Sequence, residues 1–307
     1  MQSGDTTAQA TPQRRTRIVV VGGGKMGEAI LSGWISAQTG AAADISAYDI
    51  VVVEPGEERR NYLVETHGVT CVPDVANVPA DEAPDVVVLS VKPQVMMGVL
   101  EGLRTLEAFG ATVPAAATPA PAPATAPLFI SIAAGLTTEK LAGGLPEGAP
   151  LVRVMPNMPL MVGQGASGVC ASATSTPEQV SYVADLFGCL GRAVVVDEAD
   201  MDAVCAVSGS GPAYVAAMIE AMRDAAAARG LDAQLAETLA LQTVLGTAQL
   251  ITETGVSPKT AREAICSPGG TTLAALDAMN AAGFAQVFDA GIEAAIVRSK
   301  ELAQCSS

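Results

Sequence analysis

The sequence predicts a doubly wound α/β domain followed by an all-helical one, and three features predict it. Unbroken apolar runs such as Ile18-Val19-Val20-Val21 and Val86-Val87-Val88-Leu89-Ser90-Val91 alternate with helical periods through the first part of the chain. Runs of that kind suit strands of a parallel sheet covered on both faces. After Val194-Val195-Val196 the period turns helical and stays so. A glycine loop, Gly22-Gly23-Gly24-Lys25-Met26-Gly27, stands between the first strand and the first helix. That junction is where α/β folds hold anions.

The elements follow in order. Ile18 to Val21 reads as a strand and Met26 to Ser36 as a helix. Ile50 to Val53 is the next strand, and Glu57 to His67 is a helix that Gly68 ends. Val86 to Val91 is a third strand and Val95 to Phe109 a helix weakened by Gly98 and Gly102. Phe129 to Ile132, Leu151 to Val154 and Val194 to Val196 complete the strands. Helices then run Pro212–Arg229, Ala233–Thr254, Pro258–Ile265, Thr272–Met279 and Phe284–Ala303. The first two are apolar nearly all round, which marks helices buried in a large core or in a subunit interface. The expected division is a disordered tail over 1–16, a dinucleotide-binding domain over 17–198 and a helical domain over 199–307. Small residues fill an insertion from Gln38 to Ala47, and proline and alanine fill a surface insertion over 111–127.

Composition excludes several classes. A net charge of −15 opposes nucleic acid, whose phosphates lysine and arginine must meet, and opposes an anionic membrane surface. Mean hydropathy is +0.36, yet no stretch approaches the run of about 20 apolar residues that a membrane span needs. The tail lacks an apolar signal core, although Arg14, Arg15 and Arg17 give it a weak transit-peptide character. Cys71, Cys170, Cys189, Cys205, Cys266 and Cys305 are scattered without a CxxC pair, and His67 is the single histidine. The expectation is free thiols in a reducing cytoplasm, with no metal site. His67, at the end of a helix, reads as a surface residue.

Two loops carry the chemistry. In the first, Gly22 permits a tight turn, Gly24 lets a pyrophosphate approach the backbone, and Gly27 lets helix and strand pack closely. Glu54 ends the following strand, where an acidic side chain bonds ribose hydroxyls and favours NADH; Arg59 and Arg60 stand close enough to favour NADPH instead. The second loop, Ser267-Pro268-Gly269-Gly270-Thr271-Thr272, opens an apolar helix beginning Leu273-Ala274-Ala275-Leu276. Backbone N–H groups at such a junction, aided by the helix dipole, form a carboxylate or phosphate cradle.

With the glycine loop, Val91-Lys92-Pro93-Gln94, Val152-Arg153-Val154-Met155-Pro156-Asn157, Ser208-Gly209-Ser210-Gly211-Pro212-Ala213-Tyr214 and the Ser267–Thr272 loop in place, the chain resembles the pyrroline-5-carboxylate reductases over about residues 17 to 303. The resemblance implies a Rossmann-like domain, a helical dimerisation domain, and reduction of 1-pyrroline-5-carboxylate to L-proline by NADPH or NADH in the cytoplasm. It implies a homodimer that can assemble into decamers, with partner residues contributing to each site. By the same resemblance Gly22, Gly24, Lys25, Met26 and Gly27 line the pyrophosphate turn, and Val91, Lys92 and Pro93 the nicotinamide side. Asn157 shapes the cofactor site from the other side. Ser267, Gly270, Thr271 and Thr272 grip the substrate carboxylate, and Thr272 is the candidate to hydrogen-bond the ring nitrogen. The bland alternative is that Thr272 only caps its helix.

The chain departs from the family pattern at Met158, where a threonine is usual, and in its tail and its 111–127 insertion. Two rivals remain. A β-hydroxyacid dehydrogenase would need a lysine in a glycine-rich helix of the second domain, and Lys259 and Lys300 do not sit in one. A non-catalytic nucleotide-binding protein would have no use for the second anion loop.

Overall fold

A computed structural model describes residues 15–37, 48–79, 83–106, 109 and 126–305. The tail, the 38–47 insertion and nearly all of the 111–127 insertion lie outside the described residues. The chain divides into two compact units, 1–204 with 299–307 and 205–298.

The first unit is built on an eight-stranded sheet in the order β3-β2-β1-β4-β5-β6-β7-β8. Its strands are β1 (Thr16–Val21), β2 (Tyr48–Val53), β3 (Thr70–Val72), β4 (Val86–Leu89), β5 (Leu128–Ser131), β6 (Leu151–Met155), β7 (Gly165–Ala171) and β8 (Gly191–Val195). All neighbouring pairs are parallel except β6 and β7. The order reverses between β1 and β4, and ligands bind such sheets at the carboxyl ends of the strands flanking that point.

Alternate residues of β1 to β6 feed opposite cores. Ile18 and Val20 join Trp34 and Phe187 on one face, with α1 (Lys25–Ala37) and later α5 (Pro177–Gly188). Val19 and Val21 join Met96, Leu100 and Leu103 on the other. Those last three lie on α3 (Pro93–Arg104), with α4 (Thr138–Gly144) beside it. Trp34 donates its indole N–H to the Leu186 carbonyl at 2.9 Å and meets Phe187 edge-on at 5.9 Å, pinning α1 to α5. The helix α2 (Glu57–His67) has the expected bounds, with Gly68 as its left-handed C-cap.

Several expectations need correction. The third strand stops at Leu89: the Ser90 N–H makes the last ladder bond, to the Val21 carbonyl, and its hydroxyl turns back to the Val21 and Gly22 carbonyls. The helix expected over 95–109 runs from Pro93 to Arg104; proline fits its first position, where no N–H is needed. The last strand begins at Gly191 and ends at Val195. Two strands, β3 and β7, and three helices, α4, α5 and the four-residue α6 (Met201–Val204), were not anticipated. β7 reads Gly-Ala-Ser-Gly-Val-Cys-Ala, with one β-branched residue. α5 does carry a signal: Thr176 and Gln179 form a capping box.

The short helix α6 (Met201–Val204) closes the main part of this unit, and a π-turn over Cys205–Gly209 opens the second. Then come α7 (Gly211–Ala227), α8 (Ala233–Thr254), α9 (Pro258–Ile265), α10 (Thr271–Ala281) and α11 (Phe284–Cys305). These match the expected helices closely. The stretch Glu198–Ala227 is, contrary to expectation, long and apolar enough to cross a membrane, and 3-10 and π turns interrupt it.

Candidate active site

The glycine loop sits at the carboxyl ends of β1 and β4 and is braced on three sides. Gly22 donates its N–H to the Val53 carbonyl at 2.8 Å and adopts φ +106°. A Cβ there would lie 2.9 Å from the backbone carbon and oxygen of Ser90, so only glycine fits. The Ser90 hydroxyl donates to the Gly22 carbonyl at 2.7 Å. Sequence reasoning placed Ser90 in a strand and missed this brace; its polar side chain ending a run of four apolar residues was the available signal. Gly27 also packs tightly, since a Cβ would fall 2.2 Å from the Gly22 carbonyl oxygen.

Gly24 differs from both. It is exposed, and no heavy atom lies within 4 Å of a Cβ built on it. Its carbonyl accepts the Glu28 N–H at 2.9 Å, so α1 starts here. The loop thus presents the opening N–H groups of a helix with its outer surface clear, and Lys25 is exposed beside it. A pyrophosphate fits this cradle.

Glu54 follows β2 and its carboxylate is clamped. Oε2 accepts the Gly23 N–H and Oε1 accepts the Gly56 N–H, each at 3.0 Å. Arg59 and Arg60, the rival cations, are also engaged. Arg59 donates from Nε to the Gly23 carbonyl at 2.7 Å and pairs with Glu28 at 2.5 Å. Arg60 donates to the carbonyls of Glu54 and Pro55 at 2.9 and 2.6 Å. His67 is not the surface residue expected: its side chain is 12% exposed, and Nε2 lies 3.1 Å from Glu28. Burial pushes the Glu28 carboxyl up, but bonds from Arg59, His67 and Tyr62 outweigh it and hold the pKa below its usual value.

Val91 is partly buried, Lys92 is exposed, and Pro93 opens α3, so these three lie at the carboxyl end of β4 next to the glycine loop. Asn157 is buried and its side-chain oxygen accepts the Ala166 N–H at 2.9 Å. It fixes the start of β7.

A half-buried polar cluster stands outside this site. Glu198 accepts from the Arg153 guanidinium at 2.9 Å, from the Thr138 N–H at 2.8 Å and from the Thr138 hydroxyl. Neighbouring Cys170 is 1% exposed. Burial pushes its thiol up to about 11, with Glu198 and Asp197 adding to the shift and Arg153 opposing it. Among the described residues five cysteines are free, and no cluster of metal-ligating side chains occurs.

In the second unit, α9 ends at Ile265 and the chain turns through Ser267–Gly270. Gly270 donates to the Ser267 carbonyl at 3.0 Å, with Gly269 at φ +73°. Gly270 is the N-cap of α10, and no side chain caps it. The first-turn N–H groups of Thr271 and Thr272 therefore have no intrahelical acceptor. Thr272 lies inside the first turn, so the alternative that it is the capping residue falls. Ser267 and Thr271 are exposed and Thr272 half-buried.

The same unit leaves much apolar surface uncovered. α8 buries only Ala236 and Ala240, while Leu235, Leu239, Leu241 and Leu245 are exposed. A groove of about 640 Å³ is lined by Tyr214, Met218, Met222, Met279, Phe284 and Phe288 among others. Apolar surface of this extent marks an interaction face.

Comparison with known proteins follows the same division. Residues 17–110 match the family model described as "NADP oxidoreductase coenzyme F420-dependent", and residues 198–302 that described as "Pyrroline-5-carboxylate reductase dimerisation". A Synechocystis pyrroline-5-carboxylate reductase is 41% identical over 283 residues, covering 92% of this chain and 97% of its own. The chain belongs to the pyrroline-5-carboxylate reductase family. Solved structures agree. The Coxiella burnetii reductase superposes with a TM-score of 0.81 at 32% identity, covering 94% of this chain and 99% of its own. The Plasmodium falciparum enzyme, solved with NADP bound, has a TM-score of 0.75 at 26% identity, covering 94% and 98%. Membership removes both rivals considered from the sequence, and the helical unit carries the family's dimerisation region.

Proposed function

We propose that this protein reduces the cyclic imine of 1-pyrroline-5-carboxylate to L-proline with NADH or NADPH, and so closes proline biosynthesis. One observation carries this beyond family membership: a chain of net charge −15 holds two glycine-built helix N-termini, one fit for a pyrophosphate and one for a carboxylate. In the first unit Gly22, Gly24, Lys25, Met26 and Gly27 line the pyrophosphate turn, Gly22 through its shape, and the backbone N–H groups that open the helix are the donors. Val91, Lys92 and Pro93 line the nicotinamide side, and Asn157 acts through the β7 backbone that it fixes. In the second unit Ser267, Gly270, Thr271 and Thr272 hold the substrate carboxylate.

The bound dinucleotide supplies a hydride to the imine carbon. The nitrogen needs a proton for that attack, and a cyclic imine brings one from water. The protein therefore contributes position and electrostatics, with no strong general acid required. The Thr272 hydroxyl orients the ring nitrogen and bonds the amine as it forms.

The apolar surface of the second unit and its dimerisation match support a homodimer, which we extend to decamers on the family pattern. We propose the functional division at 198/199, one residue into the dimerisation match that begins at 198. Glu198–Ala227 serves subunit contact and not a membrane, the acidic charge opposes nucleic acid, and the setting is the cytoplasm. The test is loss of NADH or NADPH absorbance on adding 1-pyrroline-5-carboxylate, with L-proline identified as product. Folded, dinucleotide-binding protein that oxidises neither would refute the assignment.

A further inference from the structure

NADPH differs from NADH by one phosphate on the adenosine 2′ oxygen, so the residues at the end of β2 decide between them. Glu54 stands there with both carboxylate oxygens already oriented by the Gly23 and Gly56 N–H groups. Each oxygen has two lone pairs and has spent one, which leaves capacity to accept the vicinal hydroxyls of a ribose. A 2′-phosphate offers no hydroxyl at that position. It brings a charge of about −1.5 to −2 against the carboxylate.

A phosphate would be accepted only if a cation turned to meet it, and the two nearby cations are held elsewhere. Arg59 uses Nε for the Gly23 carbonyl and a terminal nitrogen for Glu28, while its guanidinium lies 4.9 Å from the centre of the Tyr62 ring. Turning it outward would break an ion pair whose side chains are 30% and 17% exposed, and would leave His67 as the remaining partner of Glu28 in that pair of contacts. Arg60 holds the carbonyls of Glu54 and Pro55, so it supports the very turn that presents the carboxylate. The Plasmodium falciparum relative was solved with NADP, so family membership does not settle the choice.

We infer that Glu54 makes this chain selective for NADH over NADPH, with Arg59 and Arg60 acting as braces of the loop and not as phosphate ligands. The inference rests on the dinucleotide site described above.

Equilibrium titration of the full-length protein with NADH and with NADPH, read by nicotinamide fluorescence without substrate, tests it. NADH should bind at least tenfold more tightly. Glu54→Gln, which keeps size and removes charge, should narrow that ratio at least fivefold, chiefly by improving NADPH. Competition by ADP-ribose against its 2′-phosphate should reproduce the wild-type order and place the discrimination at the adenosine end. Equal or tighter binding of NADPH by the wild-type protein would overturn the inference and needs no variant to fold. An unchanged ratio in folded Glu54→Gln would overturn the role of Glu54. Failure to reduce 1-pyrroline-5-carboxylate with the binding order intact would instead strike the proposed reaction.

Discussion

Replacing Gly22 by alanine should damage the fold and the cofactor site together, whereas the same change at Gly24 should damage only the second. A Cβ on Gly22 would stand 2.9 Å from two backbone atoms of Ser90, well inside the 3.5–4.0 Å of a relaxed carbon contact. No side-chain rotation relieves a clash with backbone. Overpacking costs about 1–3 kcal/mol, and holding alanine at φ +106° costs about 1–3 more. The sum is about 2–6 kcal/mol, which lowers Tm by about 5–15 °C in a protein of this size. At Gly24 the space for a Cβ is open, and the cost is that of alanine at a helix N-cap, about 1 kcal/mol or less. The new methyl group would occupy the surface where pyrophosphate approaches the backbone, so dinucleotide affinity should fall at least tenfold. Thermal melts without ligand and fluorescence titration with NADH separate the two effects. Equal destabilisation by the two substitutions, or wild-type affinity in Gly24→Ala, would refute this account of the loop.

Thr272→Ala should lower kcat about tenfold or more, about 1.4 kcal/mol, with Tm nearly unchanged; unaltered turnover in folded protein would remove the hydroxyl from the chemistry. Glu28 has a depressed pKa, so its contribution to stability is complete above the unfolded carboxyl's value of about 4.3 and disappears as pH falls through the lower folded value. Urea melts should therefore show wild type more stable than Glu28→Gln at pH 6, with the gap narrowing as pH falls below the ordinary carboxyl range; a gap of constant size would contradict the ion-pair account. Cys170, buried and pushed up to about 11, should resist iodoacetamide at pH 8 until denaturant is added, as followed by mass spectrometry. Alkylation at the same rate in native and denatured protein would be inconsistent with its burial.

Sequence patterning located what depends on local chemistry. The α8 and α9 bounds were read correctly because Asp232 and Ser257 cap their first turns and Pro258 opens α9. The unbroken valine runs of β1 and β4 were legible because a central parallel strand is buried on both faces. β7 was not, since its small residues acquire strand structure from β6 and β8 rather than from their own propensity. The two candidate loops were legible in the sequence, and the side-chain network around the first was not. Nothing in the spacing of Glu28, Arg59 and His67 announces that they meet, because α1 and α2 are brought together only by the sheet. The misreading of His67 has that cause. Ser90 differs: its polar side chain after four apolar residues marked it, but its carbonyl partners on the neighbouring strand and loop did not show in the sequence.

On the proposed reading an acidic protein binds two anions, and the placement of its glycines resolves the resulting electrostatic conflict locally. Thr137, Thr176, Asp232 and Ser257 cap α4, α5, α8 and α9 with side-chain oxygens, each taking up an N–H of the first turn. An oxygen cap at Gly24 or Gly270 would consume the donors a ligand needs and set lone pairs against it. Glycine leaves those donors free, and it gives up only a few tenths of a kcal/mol of capping stability. The surroundings then compensate for the looser backbone. Ser90 and Val53 fix the first loop, and the Ser267 carbonyl fixes the second. Arg59 serves the same end, since bonding the Gly23 carbonyl holds the loop while its charge is met by Glu28. On the proposed reading, anion affinity comes from oriented N–H groups in two small places, and so survives a net charge of −15.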